Sequence, residues 1–245
     1  MLQDKNERTV MTLQDAGRPL EGCLIVFDLD GTLVDTAPDL HRVLNIVLEQ
    51  EGFSPVSLDD VRSKVGQGAR ALIKRSAQAQ GRLLTPDALT RLTATYIEVY
   101  SQDIAQLSRP FPGVIEALDE LEKMGAAFCV CTKKKTQLSV QLLEALKLAH
   151  RFRAIVGADS VSNRKPHAEH YLHALATAGG VLNQSIMIGD SSADVGTARA
   201  AGAPVILVEF GYTDIAPEAL KPDAILSHYS ELSAIATKLL RRNRI

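Results

Sequence analysis

The chain has 245 residues, 46% of them hydrophobic, which is enough to build a large folded domain with a full apolar core and excludes intrinsic disorder. Aromatic residues make up only 4%, tryptophan is absent, and 27 basic residues stand against 29 acidic ones, for a net charge of -2. Because the chain offers neither an overall positive field nor aromatic stacking platforms, we expect no nucleic-acid partner.

The chain begins with residues 1–21, which predict a polar tail and not a secretory signal, because they contain no apolar run. No window approaches the roughly 20 apolar residues of a membrane-spanning helix, so we expect no membrane partner. The cysteines, Cys23, Cys129 and Cys131, are odd in number and lack the second pair that a zinc site needs. We therefore predict reduced core cysteines in a cytoplasmic protein.

The first predicted strand, residues 23–27, is a continuous apolar run that leads into Asp28 and Asp30. Ligands of open α/β sheets bind at the carboxyl ends of strands, and residues two apart on a strand point to the same side. We therefore expect both carboxylates to face one crevice. Gly31 would let the backbone turn sharply or approach a ligand closely. A helix cap is the structural alternative for these acids, and the preceding strand makes it the weaker one.

The segment that follows, residues 36–108, has helical periodicity and no convincing strand. Four helices are predicted in it, at residues 38–50, 58–65, 69–80 and 86–101. We interpret the segment as an α-helical cap domain inserted into an α/β hydrolase core formed by residues 22–35 and 109–245. Inserted domains of this kind commonly close over active sites at the strand ends.

After the cap, short apolar runs alternate with helical patterns. Strands are predicted at residues 126–131, 154–156, 185–188 and 204–208, with a weaker one at 224–226. Helices are predicted at residues 114–124, 136–148, 166–178 and 192–201. The alternation predicts an α/β fold with a Rossmann-like, doubly wound parallel sheet.

A second acidic motif follows the predicted strand at 185–188. Asp190 lies at the strand end and Asp194 four residues further on, in the first turn of the next helix, so the two side chains can converge on one cation. Asp194 could instead only complement the helix dipole. With Asp28 and Asp30, four carboxylates would share a crevice and repel one another unless countered. Oxygen ligands favour a hard cation, so the acids predict Mg²⁺ and a nearby basic residue.

Lys165, in a loop just before Pro166, is the best candidate for that basic residue, where it would neutralise the crevice and bind a phosphate oxygen. Thr132, at the end of the strand at 126–131, is the matching candidate for holding phosphate with its hydroxyl and the following backbone amides. The alternative for Lys165 is an ordinary surface lysine, and the alternative for Thr132 is a helix cap.

The two acidic motifs, with Thr132 and Lys165 between them, resemble the haloacid dehalogenase-like hydrolase superfamily over residues 23–208. Within that superfamily, the chain is similar to the phosphoglycolate phosphatase group. That similarity is carried by residues 27–35, with the sequence FDLDGTLVD, and by residues 65–69 of the cap, with the sequence VGQGA.

The resemblance implies a role for each matching residue. It implies that Asp28 is the nucleophile and Asp30 the general acid and base. It implies that Thr132 and Lys165 bind phosphate. The implied Mg²⁺ ligands are Asp28, the carbonyl of Asp30 and Asp190, with Asp194 in support.

Lys133 stands where the family often has Asn, and it opens a run of three lysines. We predict that it contributes to phosphate binding or to leaving-group contacts, with a solvated charge run at a helix start as the alternative. After Pro166 the further prolines of the family are missing, and His167, His170 and His173 recur instead. Their spacing of three drifts around a helix, which favours an exposed polar face over a zinc site.

In the cap, Gly66, Gln67 and Gly68 form a glycine-bearing loop shortly before Arg70. We predict that this loop contacts the substrate when the cap closes. Arg70 could then bind a substrate carboxylate through two parallel hydrogen bonds. A solvated helix face is the alternative.

These features predict a magnesium-dependent phosphatase that acts on a small phosphorylated metabolite, as a monomer or homodimer. Asp28 would attack phosphorus to form an aspartyl-phosphate, and Asp30 would protonate the leaving group and then activate water. 2-Phosphoglycolate is the favoured substrate, with sugar phosphates, nucleotides and pyrophosphate as alternatives. A phosphomutase acting on a sugar phosphate and a binding protein with vestigial catalytic residues are the rival functions.

Overall fold

A computed structural model describes residues 18–213 and 215–243 of the chain. Residues 1–17, most of the predicted polar tail, lie outside the described residues. From Leu20 onward the chain joins the core, because Leu20 is fully buried and its amide donates a hydrogen bond of 2.9 Å to the carbonyl of Met124. Within the described ranges, no helix is both long and apolar enough to cross a bilayer.

Strands and helices alternate through most of the described chain. The strands are β1 (Leu24–Phe27), β2 (Val34–Asp35), β3 (Arg109–Pro110), β4 (Ala127–Cys131), β5 (Phe152–Val156), β6 (Ser185–Gly189), β7 (Val205–Val208) and β8 (Ala224–Leu226). The α-helices are α1 (Ala37–Gln50), α2 (Leu58–Arg62), α3 (Ala69–Ala79), α4 (Pro86–Gln102), α5 (Val114–Lys123), α6 (Thr136–Ala145), α7 (Ala168–Ala178), α8 (Ser192–Ala201) and α9 (Leu232–Asn243).

Six parallel strands form the central sheet, in the order β5-β4-β1-β6-β7-β8. Helices cover both faces of its middle strands, so every residue of β1 and of β6 is buried, and all of these residues except Ser185 are apolar or glycine. Side chains of β1 alternate between two cores: Ile25 and Phe27 pack in the layer that includes α5 and α9, whereas Leu24 and Val26 pack against α7 and α8. The predicted doubly wound parallel α/β fold is confirmed.

The helices α1 to α4 occupy the chain between β2 and β3, which pair as a short antiparallel ribbon. Sequence patterns did not predict this ribbon, because two-residue strands carry no periodicity. The helix α9 was not predicted either. Several predicted boundaries shift: α2 ends at Arg62, α6 ends at Ala145, and α7 begins at Ala168 and not at Pro166. The ribbon thus marks where the chain leaves the sheet layer and returns to it.

Asp39, in the first turn of α1, connects the segment where the chain leaves the sheet layer with the segment where it returns. Its side chain is fully buried, and its Oδ2 accepts hydrogen bonds from the Leu107 amide at 2.9 Å, the Ser108 amide at 2.7 Å and the Ser108 hydroxyl at 2.7 Å. Its Oδ1 accepts from Arg42 Nε at 3.1 Å. One carboxylate therefore satisfies four donors from segments that are far apart in sequence.

We expect Asp39→Ala to lower the free energy of unfolding by about 3 kcal/mol, because it leaves the buried Ser108 amide and hydroxyl, and Arg42, without this acceptor. Urea unfolding followed by circular dichroism measures the loss. Asp87→Ala is the matched control, since Asp87 also lies in the first helical turn, of α4, but is exposed. An Asp39→Ala midpoint no lower than that of the control would contradict this role.

Candidate active site

The candidate site lies at the carboxyl edge of the central sheet, where β1, β4 and β6 end next to one another. Asp28 follows β1 directly, and its amide donates to the Ile188 carbonyl of β6 at 2.8 Å. Asp190 follows β6, and Asp194 lies in the first turn of α8. Parallel strands thus bring acids that are more than 150 positions apart in sequence to one place.

Asp28, Asp190 and Asp194 each offer a carboxylate oxygen within 4.8 Å of the others, and all three side chains are buried. Lys165 lies among them with its side chain 0% exposed. Its Nζ is 2.9 Å from Asp28 Oδ1 and 2.7 Å from Asp194 Oδ1, and it donates to the Cys131 carbonyl at 2.9 Å. Lys165, in the loop between β5 and α7, therefore supplies the positive charge that balances Asp28 after β1 and Asp194 in α8.

Three carboxylates against one ammonium leave two excess negative charges in a buried site. Burial raises the pKa of Asp28 to about 6, although Lys165 acts against the shift. Burial, then Asp194 and Asp28, raise the pKa of Asp190 well above its usual value. Asp194 differs, because burial is outweighed by Lys165 and by hydrogen bonds from Ser191, which hold its pKa below the usual value. The excess charge and the oxygen donors fit a hard divalent cation.

The three acids are not equivalent. Asp194 Oδ2 accepts hydrogen bonds from the Ser191 hydroxyl at 2.6 Å, the Ser191 amide at 3.0 Å and the Asp190 amide at 3.2 Å, which caps α8. Both of its oxygens are thus engaged within the protein. Asp28 Oδ1 accepts from the Leu29 amide at 2.8 Å, whereas its Oδ2 accepts no hydrogen bond from any residue that the structure describes. Asp28 Oδ2 is available to a cation or to a reacting atom.

Gly31 allows the first strand loop to approach Asp190. Its φ is +84°, and a Cβ at this position would collide with Asp190 Oδ2. The backbone amide of Tyr212 approaches the same oxygen and donates to it at 2.8 Å. A larger residue at position 31 would displace the carboxylate that completes the acidic cluster.

Asp30 belongs to a second charged group, on the side of the cap helices. Its Oδ1 accepts hydrogen bonds from the Thr36 hydroxyl at 2.7 Å and from Lys134 Nζ at 2.8 Å. Lys134 Nζ also lies 4.8 Å from the centre of the Tyr100 ring in α4. Burial acts against the charge on Lys134, but Asp30 outweighs it and raises the pKa of the lysine above its usual value. Asp28 and Asp30, expected to face one crevice, thus enter two separate clusters of charge.

Thr132 lies at the end of β4, as predicted, and is buried. Its Oγ1 accepts a hydrogen bond from the Lys134 amide at 3.2 Å, so it stabilises the turn that leads into α6. The N-cap of α6 is Lys135, which shows that Thr132 is not the helix cap that the sequence left open.

A cavity of about 780 Å³ opens between this edge of the sheet and the cap helices. Asp30 and Lys133 line it from the core, and the loop of residues 66–68 lines it from the cap. Arg70 also lines the cavity, with its Nη1 donating to the Thr90 hydroxyl at 3.0 Å. The structure thus places the predicted cap residues on the same cavity as Asp30.

Sequence patterns missed several contributors to the site. Lys134 was visible only as one of three consecutive lysines, and Tyr212 gave no signal because it donates to Asp190 through its backbone amide. His170 was predicted on an exposed helix face, which is wrong: it is fully buried, and its Nδ1 accepts from the Lys165 amide at 3.2 Å. This histidine holds the loop that carries the buried lysine.

Known proteins resemble this chain over a range that includes the site residues. The model of the haloacid dehalogenase-like hydrolase family matches residues 25–208. A phosphoglycolate phosphatase of Caulobacter vibrioides is 46% identical over 90% of this chain and 93% of that protein. One of Mesorhizobium japonicum is 42% identical over 89% of this chain and 96% of that protein. Among solved structures, a predicted phosphoglycolate phosphatase from Haemophilus somnus has a TM-score of 0.82 at 29% identity, covering 88% of this chain and 98% of that chain.

The pKa of Asp28 predicts how the stability of the metal-free protein depends on pH. Because this pKa rises from 3.8 to about 6 on folding, the folded protein binds more protons than the unfolded chain between these values, and stability falls as pH rises through that window. Asp28→Asn removes the ionisable group. We expect it to stabilise the metal-free protein by roughly 2 kcal/mol at pH 8.

Urea unfolding with a chelator present, at pH 5 and at pH 8, measures the effect. Asp159→Asn is the control of opposite sign, because hydrogen bonds from Thr136 outweigh partial burial and hold the pKa of Asp159 below its usual value. That variant should lose stability at pH 8. A loss in Asp28→Asn as well would show that the ionised form of Asp28 stabilises the fold.

Proposed function

The chain belongs to the haloacid dehalogenase-like hydrolase family, and we propose that it is a magnesium-dependent phosphatase that hydrolyses 2-phosphoglycolate. The observation that carries the proposal is the cluster of Asp28, Asp190 and Asp194 around Lys165, with two excess negative charges and one carboxylate oxygen left available. The relatives named as phosphoglycolate phosphatases support the choice of substrate.

The proposed metal ligands are Asp28, Asp190 and the backbone carbonyl of Asp30. A bound divalent cation supplies positive charge that offsets the carboxylates and the phosphate oxygens. Asp194 supports the site from behind, because its two oxygens hold Lys165 and the Ser191 turn in place. Mg²⁺ fits such a site because it binds through one or two carboxylates and leaves other positions for water and phosphate.

Asp28 is the proposed nucleophile. Lys165 and the Leu29 amide hold its Oδ1, which orients Oδ2 away from these partners. Attack of Oδ2 on phosphorus forms an aspartyl-phosphate, while the bond between phosphorus and the leaving oxygen breaks. Water then attacks phosphorus, restores the Asp28 carboxylate and releases inorganic phosphate.

Asp30 is the proposed proton carrier. As an acid it gives a proton to the leaving oxygen, and as a carboxylate it takes a proton from the attacking water. Lys134 and Thr36 both hold Oδ1, and the side chain faces the cavity. These contacts fix the orientation of Asp30 towards a substrate between the sheet edge and the cap.

Thr132 and Lys165 are the proposed side chains that bind the transferred phosphate. Lys165 already contacts three acceptors, so a phosphate oxygen would share one of its donors, and its main contribution is to neutralise Asp28 and Asp194. We further propose that residues 36–108 act as the cap domain. Gly66, Gln67, Gly68 and Arg70 are its proposed substrate contacts.

We expect 2-phosphoglycolate to give the highest kcat/KM in a panel that also contains sugar phosphates, nucleotides and pyrophosphate. Asp28→Asn should lower turnover of every substrate at least about 1,000-fold, because the nucleophile is lost. Asp87→Asn, an exposed change in α4, is the control and should keep wild-type rates. Wild-type rates in folded Asp28→Asn would refute the nucleophile, and a higher kcat/KM for another phosphate would reassign the substrate.

Chelation should abolish turnover, and added Mg²⁺ should restore it. Because the cation offsets two excess charges, Mg²⁺ should also raise the melting temperature of the wild type, and by less in Asp190→Asn. Activity assays and thermal unfolding with EDTA or Mg²⁺ measure both effects. Full activity after exhaustive chelation would contradict the metal requirement.

A further inference from the structure

The cavity beside Asp30 is strongly positive, although the chain carries a net charge of -2. Its lining contains six basic side chains and only two acidic ones, Asp30 and Asp159. Both acids have donors of their own: Asp30 accepts from Lys134, and Asp159 accepts from the amide and hydroxyl of Thr136 at 2.8 and 2.9 Å. The basic residues are Arg70, Lys74, Lys133, Lys134, Lys135 and Arg164. The excess of basic side chains in the lining should attract an anion into this cavity.

Lys133 is distinguished among these cations by its place. It follows the phosphate-binding candidate Thr132 and is half-buried. Its ammonium forms no hydrogen bond or ion pair with any residue in the described ranges. Burial first, and then the charge of Lys165, lower its pKa, while the charges of Asp194 and Asp28 act in the opposite direction. A half-buried ammonium with no direct ion-pair partner among the described residues can bind an anion.

The position of this anion follows from the proposed reaction. The transferred phosphoryl group must reach Asp28 Oδ2, where Lys165 already supplies the protein's positive charge. Lys133 instead shares the cavity with Asp30, the proposed proton donor to the leaving oxygen, and with Arg70 of the cap. An anion on Lys133 therefore belongs to the part of the substrate beyond the leaving oxygen.

We propose that Lys133 is a specificity-determining residue that binds a carboxylate on the leaving group, so that the substrates are phosphate monoesters of small hydroxy acids. The proposal rests on the proposed function, because the leaving-group side is defined by the roles of Asp28 and Asp30. It assigns Lys133 to the leaving group and not to the transferred phosphate.

Two non-hydrolysable analogues that differ in one charge test this role. In 3-phosphonopropionate a methylene replaces the ester oxygen of 2-phosphoglycolate, and 3-phosphonopropionamide has the same shape with a neutral amide. Isothermal calorimetry with Mg²⁺ present measures both dissociation constants. Wild type should bind the acid about 10- to 100-fold more tightly than the amide, as expected for one charge-assisted contact.

Lys133→Met should lose this preference while binding the amide as wild type does. Lys133→Arg should keep most of the preference, because the charge remains. Lys238→Met, an exposed change on α9, is the matched control and should keep all of it. In kinetics, Lys133→Met should raise KM for 2-phosphoglycolate and leave KM for ethyl phosphate within about twofold.

The proposal would be overturned by equal affinity of wild type for the two analogues, by no binding of either, or by an unchanged preference in Lys133→Met. An equal loss of affinity for both analogues in Lys133→Met would also overturn it, since Lys133 would then bind the phosphate. If the preference for the acid depends on Lys133 but 2-phosphoglycolate is not turned over, the proposed function is refuted and the role of Lys133 in binding a carboxylate stands.

Discussion

The buried ammonium of Lys165 is the interaction on which the candidate site depends. It lies 2.9 Å from Asp28 Oδ1 and 2.7 Å from Asp194 Oδ1, where little water is present to screen the charges. Lys165 acts against burial at Asp28 and at Asp194, so without it the pKa of both carboxyl groups would be higher. The ion pairs also orient the lysine, because Asp194 is fixed by the first turn of α8 and His170 holds the Lys165 amide.

Asp28 and Asp30 are separated by a single residue, yet they lie in different surroundings. Asp28 joins the buried cluster, whereas Asp30 contacts Lys134, which lies against Tyr100 of α4. A residue between β2 and β3 therefore lies against the ion pair of the group proposed to carry the proton, while the proposed nucleophile is held by Lys165 and Leu29 of the core. This division would let the cap helices influence the proposed proton carrier without disturbing the acids proposed to bind the metal.

The positive cavity explains how a slightly acidic protein can bind a small anion. A net charge of -2 gives no attraction at long range, so selectivity must come from local groups. The core supplies Lys133 from the loop after β4, and the cap supplies Arg70 from the start of α3. Relatives at 42% and 46% identity share the family.

The sequence by itself determined the α/β class, because apolar runs without alternation indicate strands covered on both faces, and it located the acids at the ends of two such runs. It could not show which lysine of residues 133–135 contacts Asp30, because a loop has no periodicity that fixes side-chain direction. It also misplaced His170, and it gave no sign that Asp39 bonds to Ser108, 69 positions away. Those contacts join segments distant in sequence, so only the packing of the tertiary structure decided them.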